Sequence, residues 1–194
     1  MSLLKLPNEI ILTICEYLDD RDKLKLTATC KKLLCFREFL YYDILISIEK
    51  IRNLQYKYNF KNLKVKENIS GDELAKFKKL NGLLLYDDFK HNIKNIIPNT
   101  VKYLEILSDF NGDLKGCLPS SLKSLCINGR FNQSIRDCLP STIESLHFGI
   151  SFNNSIDKFI PSSVKYLKFG HGFNKPIKKF YSRRSYKFNI WMEF

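Results

Sequence analysis

Apolar residues recur along this chain with two different periods. In the first forty positions the spacing is helical: Ile10, Ile14 and Leu18 return every four residues with Ile11 alongside, which predicts one amphipathic helix. Pro7 suits its first position, and Asn8 and Glu9 fall in the first turn, where they complement the helix dipole. The stripe ends near Asp19-Asp20. Asp20 or Asp22 can cap a second helix carrying Leu24, Leu26 and Ala28, and a third is predicted from Thr29-Cys30 through Leu33, Leu34 and Phe36 to Leu40. Three such helices make a poor independent core, and a unit of this kind completes itself against a partner.

Further along the period is 21. Phe89, Phe110, Phe131, Phe152 and Phe173 stand 21 residues apart, each followed four positions later by Ile93, Leu114, Ile135, Ile156 or Ile177. Asn111, Asn132, Asn153 and Asn174 follow four of the five phenylalanines, with Lys90 as the exception. Pro98, Pro119, Pro140 and Pro161 form another column, Val101, Leu122, Ile143 and Val164 the next, and Leu104, Leu125, Leu146 and Leu167 a third. Two residues after that third column come Ile106, Ile127, Phe148 and Phe169. Weaker copies flank these. One step back lands on Leu80, Leu83 and Leu85 with Phe77 in the proline column; one step forward lands on Tyr181, Ser182, Phe188 and Ile190; a further copy at Leu63 and Val65 is one residue out of step.

The alternation Leu-x-Ile or Leu-x-Phe has period two, so each copy predicts a short strand with one buried face. A 21-residue unit cannot bury that face alone, and the copies must stack strand beside strand into a parallel solenoid, right-handed by the crossover rule. Each proline suits the bend before a strand, and the Asn-Thr, Ser-Ser or Ser-Thr pair after it is expected to satisfy turn groups locally. The Asn column is expected to bridge from coil to coil, with the Phe and Ile columns filling the space between. Tyr41 to Ile51 is compatible with helix or with a first strand, and Asp72 to Lys79 has helical composition. No Pro/Gly/Ser linker separates the two patterns, so rigid fusion is expected.

The segment Leu118-Pro119-Ser120-Ser121-Leu122-Lys123-Ser124-Leu125-Cys126-Ile127 resembles a leucine-rich repeat. Where that family places Asn or Cys this chain has Asp109, Arg130, Ser151 and Gly172, and a Phe-Asn-x-x-Ile block follows at 131–135, 152–156 and 173–177. That block is similar to the FNIP repeat, a variant of the leucine-rich class, over about residues 80–194. The string Leu6-Pro7-Asn8-Glu9-Ile10, with Ile14, Leu18, Asp22, Leu24, Leu26 and Thr29-Cys30-Lys31-Lys32-Leu33, resembles an F-box. Leu33 and Leu34 stand where an aromatic often follows the Cys-Lys pair in that family.

The expected fold is thus α+β: a three-helix F-box over 1–45, a connecting segment and solenoid cap over 46–79, and FNIP-type repeats with a C-terminal cap over 80–194. The resemblance implies a non-catalytic subunit of a cullin-RING ubiquitin ligase. Its head would dock a Skp-type adaptor through Leu6, Pro7, Ile10, Ile14, Leu18 and Leu24, and its repeats would hold a protein target of unknown identity. Chains joining these two parts resemble families of amoebae and of the giant DNA viruses that infect them. This implies a viral protein redirecting a host ligase, in host cytoplasm or nucleus, or a decoy occupying the adaptor without delivering a target. Outward strand residues vary from copy to copy, and Tyr86, Tyr103, Glu105, Tyr166, Lys168 and Trp191 are the candidate target contacts, with Ser124, Cys126, Asn128, Ser145 and His147 beside them.

Composition narrows the alternatives. With 44% apolar and 27% charged residues the chain has the makings of a core, and no run approaches the ~20 apolar residues of a membrane span. Its opening residues do not read as a signal peptide, so the cytosol is the expected compartment. The net charge of +12 raises nucleic acid as a second class of partner, through Lys168, Lys178, Lys179, Arg183 and Arg184. Lysine outnumbers arginine 25 to 7, however, and arginine is the residue that reads phosphates and bases bidentately, which disfavours it. Ten of the twelve net charges lie after residue 60.

The six cysteines show no zinc or disulfide spacing, Cys117 and Cys138 share a repeat column as core residues, and neither a metal nor a cofactor is expected. His91, His147 and His171 lie in three different copies, with no nucleophile–base–orienter set. His147 and Cys126 alone are predicted to approach each other, one strand apart on a face that excludes no water and offers no oxyanion site.

Overall fold

The computed structural model describes residues 5–66, 69–86, 89, 93–176 and 189–192. A parallel eight-stranded sheet runs through it, each strand pairing with the next in sequence. The strands are β1 (Tyr42–Ser47), β2 (Phe60–Val65), β3 (Gly82–Leu85), β4 (Tyr103–Ile106), β5 (Ser124–Ile127), β6 (Ser145–Phe148), β7 (Tyr166–Phe169) and β8 (Asn189–Met192). Each repeat strand buries its second and fourth residues and turns the other two outward, as the period of two predicts.

The coils are welded at every corner. Each proline carbonyl accepts from the N–H three residues on, closing the turn before the strand. The Ser/Thr pairs depart from expectation, since they bond across coils rather than locally. Ser121 Oγ donates to the Val101 carbonyl at 2.7 Å, Ser163 Oγ to Ile143 at 2.6 Å, and Thr142 Oγ1 lies 2.8 Å from the Leu122 carbonyl. The hydroxyl sits one coil from a strand-entry carbonyl that no in-register N–H reaches. At the opposite corner the asparagines bridge as predicted: the backbone N–H of Asn132, Asn153 and Asn174 each donates to the Oδ1 of the asparagine 21 residues earlier, at 2.9, 2.8 and 3.0 Å.

Beneath the asparagines the phenylalanines form a stack. Phe110, Phe131, Phe152 and Phe173 follow one another at 6.0, 5.9 and 6.1 Å, within 6° of parallel. Phe148 and Phe169 pack between, 4.2 Å from Phe152 and 3.9 Å from Phe173. Neighbouring strands are about 4.8 Å apart, so the coils step about 1 Å further on the phenylalanine side than on the sheet side. The stack therefore curves with the sheet on its inner side. The corner before each proline repeats a left-handed residue: Asn95, Gly116, Asp137 and Lys158 have φ of 60°, 70°, 56° and 66°.

The early coils keep the register with other lengths. Leu63 and Val65 pair directly with Leu83 and Leu85, because that coil is one residue shorter. Tyr41 to Ile51 resolves into β1 followed by the short helix α4 (Ile48–Ile51), and the predicted helix at Asp72 shortens to α5 (Gly71–Ala75), capped by Ser70. At the far end a correction is needed. Ile190 pairs with Leu167 and Met192 with Phe169, so the expected positions of Phe188 and Ile190 shift by two: the β7–β8 connection is two residues longer than the others. Tyr181, Ser182 and Phe188 lie outside the described residues.

In numerical order α1 (Asn8–Glu16), α2 (Asp20–Ala28) and α3 (Lys31–Leu34), then a 3-10 turn at Cys35–Glu38, form the head. Asp19, rather than Asp20 or Asp22, caps α2 by accepting from Asp22 N–H at 2.8 Å. Asp20 is engaged elsewhere: its carboxylate accepts from the Ile44 N–H of β1 and pairs with Lys23, whose ammonium also reaches the Tyr41 carbonyl at 3.3 Å. Lys23 and Thr27 are therefore the buried residues of α2, while Leu24 and Leu26 are half-buried and Ala28 is exposed. Arg37 completes the join, donating to Thr27 Oγ1 at 2.8 Å and to the Leu24 carbonyl at 3.0 Å, with its guanidinium over the Tyr56 ring.

Ile11, Cys15, Leu33, Phe36 and Leu40 belong to the same buried cluster as the repeat columns. Phe131, in the middle of the stack and 1% exposed, should be the costliest residue of its column to truncate. Phe131→Ala is expected to lose about 3–5 kcal/mol in urea unfolding, and a loss below about 1 kcal/mol would mean that the coils do not depend on the ring stack.

Candidate functional site

Two surfaces have the chemistry of interaction sites. The first is on the head. Helix α1 carries two adjacent apolar stripes: Ile11 and Cys15 point into the stack, and Ile10 and Ile14 lie beside them. Ile10 is 47% exposed and so is Leu34 of α3, with Phe39 and Tyr17 more open still. Of the sequence-derived adaptor candidates, Pro7 and Ile10 are exposed, Ile14 and Leu18 are half-buried, and Leu6 and Leu24 are half-buried against the core. Leu34, Tyr17 and Phe39 were not among those candidates. Leu34 sits where the helical spacing from Leu33 turns a residue outward, which is the signal that could have found it.

The second surface is the outward face of the sheet. Pairing aligns it into two rows. Leu45, Asn62, Gly82, Tyr103, Ser124, Ser145, Tyr166 and Asn189 form one, and Ser47, Lys64, Leu84, Glu105, Cys126, His147, Lys168 and Trp191 the other. Tyr103 and Tyr166 are each 53% exposed and stand three strands apart, about 14 Å. Glu105 and Lys168 are half-buried, and Tyr86, just past β3, is half-buried with its N–H on the Val65 carbonyl. Trp191 aligns with Lys168 along the backbone; its side chain lies outside the described residues, as do His91, Lys178, Lys179, Arg183 and Arg184. A hollow of about 320 Å³ opens on this face over β1 to β5.

Cys126 and His147 meet as their alignment predicts, with Sγ 3.3 Å from Nδ1. Burial, with the Glu105 carboxylate next in effect, pushes the Cys126 thiol up to about 11. A thiol so raised stays protonated at neutral pH, so the contact is a hydrogen bond and not an activated nucleophile. Cys117 and Cys138 are buried and donate to nearby carbonyls. Among the described residues no group of three or more His, Cys, Asp or Glu could hold a metal ion.

At the entry to the strands, Glu144 accepts from Lys123 at 2.9 Å and Lys165 at 2.5 Å, joining three consecutive coils. The hydrogen bonds from Lys165 and Lys123 hold its carboxyl down at about 2, against an ordinary 4.5. A lowered folded-state value favours the ionised form on folding. The contribution is thus present above about pH 4.5 and lost as the pH falls toward 2.

This is the architecture of a helical head joined to a parallel repeat solenoid. The F-box-like family model matches residues 3–47, and the FNIP repeat model matches 110–151 and 152–181. An FNIP repeat-containing protein of Acanthamoeba polyphaga mimivirus is 31% identical over 121 residues, covering 53% of this chain and 29% of its own length. An F-box protein of the same virus is 31% identical over 106 residues, covering 55% of this chain and 50% of its own length. The chain thus spans half or less of these relatives. A crystal structure of a circular leucine-rich-repeat protein overlaps 62% of this chain and 22% of its own at 24% identity, with a TM-score of 0.45. The chain carries an F-box-like head followed by FNIP repeats, the parts of a protein-interaction adaptor. Among the described residues no helix is long and apolar enough to cross a membrane.

Two measurements check the electrostatics. Alkylation of Cys126, followed by mass spectrometry of its tryptic peptide, should still be accelerating at about pH 10; a plateau by about pH 8 would restore the dyad. The difference in urea midpoint between wild type and Glu144→Gln should shrink as the pH falls from about 5 to about 2.5, and a constant difference would contradict the clamp.

Proposed function

We propose that this chain is a target-recruiting subunit of a Skp–cullin–F-box type ubiquitin ligase and is itself non-catalytic. Residues 1–45 dock the Skp-type adaptor, 46–79 connect and cap the stack, and the repeats over 80–194 hold a protein target. The observation that carries the reading is the second apolar stripe of the head. The inner stripe is satisfied by the chain's own core, while Ile10, 47% exposed, and the half-buried Ile14 form an outer one that its own core leaves open, and Leu34 of α3 is as exposed as Ile10. Aliphatics left open on so small a unit suit a protein-binding site. F-box domains as a class bind Skp-type adaptors, and the head matches that model.

Pro7, Ile10 and Ile14 supply the centre of this surface, Leu18 its rim, and Leu6 and Leu24 support it from the core side. Tyr103, Glu105, Tyr166 and Lys168, with Tyr86 and Trp191 flanking, supply the target surface. Rigid tyrosines give contact area at low entropic cost, and the sheet beneath holds them in place. Its relatives being viral, the ligase it redirects is that of an infected host cell.

Co-expression with a Skp-type adaptor should yield a complex that Ile10→Asp weakens at least about tenfold. Because Ile10 is exposed, the variant's melting temperature should stay near wild type. Full retention of the complex in a folded Ile10→Asp protein would sink the adaptor reading.

A further inference from the structure

The hollow on the sheet face lies over β1 to β5, where the row Leu45, Asn62, Gly82, Tyr103, Ser124 drops a side chain at Gly82 and the Asn62 amide lies across the bare backbone instead. That arrangement is built in. A Cβ at Gly82 would collide with Asn62 Oδ1, and Asn62 is held by its own donation to the Asp43 carbonyl. The walls are Leu45, Leu84 and the half-exposed Tyr103, and the acidic group among them is Glu105. Among the described residues Glu105 makes neither ion pair nor hydrogen bond.

We propose that this hollow receives a lysine or arginine side chain of the bound target protein, its aliphatic stem against Leu45, Leu84 and Tyr103 and its cationic head on the Glu105 carboxylate. The inference rests on the reading that the sheet face holds the target, and it names the chemistry recognised there.

The choice of occupant follows from cost. A purely apolar side chain would desolvate Glu105 and give it no partner, and an acidic one would add repulsion. A long cationic side chain satisfies both parts of the lining, since its stem packs like an aliphatic while its head seeks charge. The Tyr103 ring adds attraction for the cation. Lys64 lies two strands from Glu105 in the same row, about 10 Å away, so the cation is directed to the Glu105 end. The chain's net positive charge does not oppose this locally, because at physiological salt charges beyond about 8 Å are largely screened. Cys126 lines the hollow beside Glu105, and burial followed by that carboxylate raises its thiol.

The test is to pan a random heptapeptide phage library against the full chain. Synthetic copies of the enriched peptides are then titrated by fluorescence polarisation with wild type, Glu105→Gln, Gly82→Ser and Tyr166→Ala. Enriched peptides are expected to share a lysine or arginine. Replacing that residue by norleucine, or Glu105 by Gln, should weaken binding at least about tenfold, and Tyr166→Ala should matter less. Glu105→Gln removes the charge from a half-buried position without changing the shape, so it keeps the test valid should Gly82→Ser fail to fold. Peptides lacking a basic residue, or indifferent to Glu105→Gln, overturn the proposal. If such peptides are instead sensitive to Tyr166→Ala, target binding by the sheet survives and only the Glu105 hollow is refuted. If no peptide responds to any of the three substitutions, the target reading falls with it.

Discussion

A single coil of this protein cannot bury its own apolar face, and nearly everything else about the chain follows from that. Each 21-residue unit contributes a strand with two inward side chains, too little to pay for its own ordering, so stability comes from the interface with the next unit. Three independent ladders share that interface: the parallel sheet, the phenylalanine stack and the asparagine bridges. They do not have the same natural spacing. Rings about 6 Å apart against strands about 4.8 Å apart bend the stack toward its sheet. The curvature of the sheet face is set on the opposite side of the molecule, by the phenylalanine stack.

The same constraint sorts the residues by freedom. Inward columns carry Leu, Ile, Val or Phe, with Cys117 and Cys138 in one of them, and the corner columns residues that can bridge or turn. The outward rows are free, and they carry glycine, serine, tyrosine, glutamate, cysteine, histidine and lysine without period. Where a charge does repeat, at the strand entries, it is tied down: Glu144 holds lysines from the coils on either side. Much of the lysine excess is thus ordinary solvated surface, exposed and partly paired, and the scarcity of arginine fits that role.

The repeat was legible in the sequence because burial on one side of a stack recurs with the length of the coil. What escaped reading was whatever has no period. Both stripes of α1 are apolar, so spacing alone could not tell Ile11 and Cys15, which face the core, from Ile10 and Ile14, which lie beside them. The coils at β1, β2 and β8 differ in length by one or more residues, which hides paired positions from any search at a fixed step. The serine and threonine hydroxyls bond to a coil 20 residues away, and the identity of a side chain does not reveal that reach. The hollow over Gly82 and Asn62 falls in a row with no pattern, and only the pairing register exposes it.

The head does more than sit at the end of the stack, because it occupies the edge that the stack would otherwise leave open. The first strand of a sheet presents unpaired N–H and carbonyl groups that invite further strands. Here the Asp20 carboxylate takes the Ile44 N–H, and Lys23 takes the Tyr41 carbonyl. Coils that follow β5 lengthen the outward face but leave α1 to β5 untouched, and with them the separation between the Ile10 stripe and the Gly82 hollow. Arg37, which joins α2 to the Tyr56 segment ahead of β2, fixes that separation from the other side of the junction. An adaptor held by the head and a target held over β1 to β5 would thus meet at one geometry, whatever the number of repeats that follow.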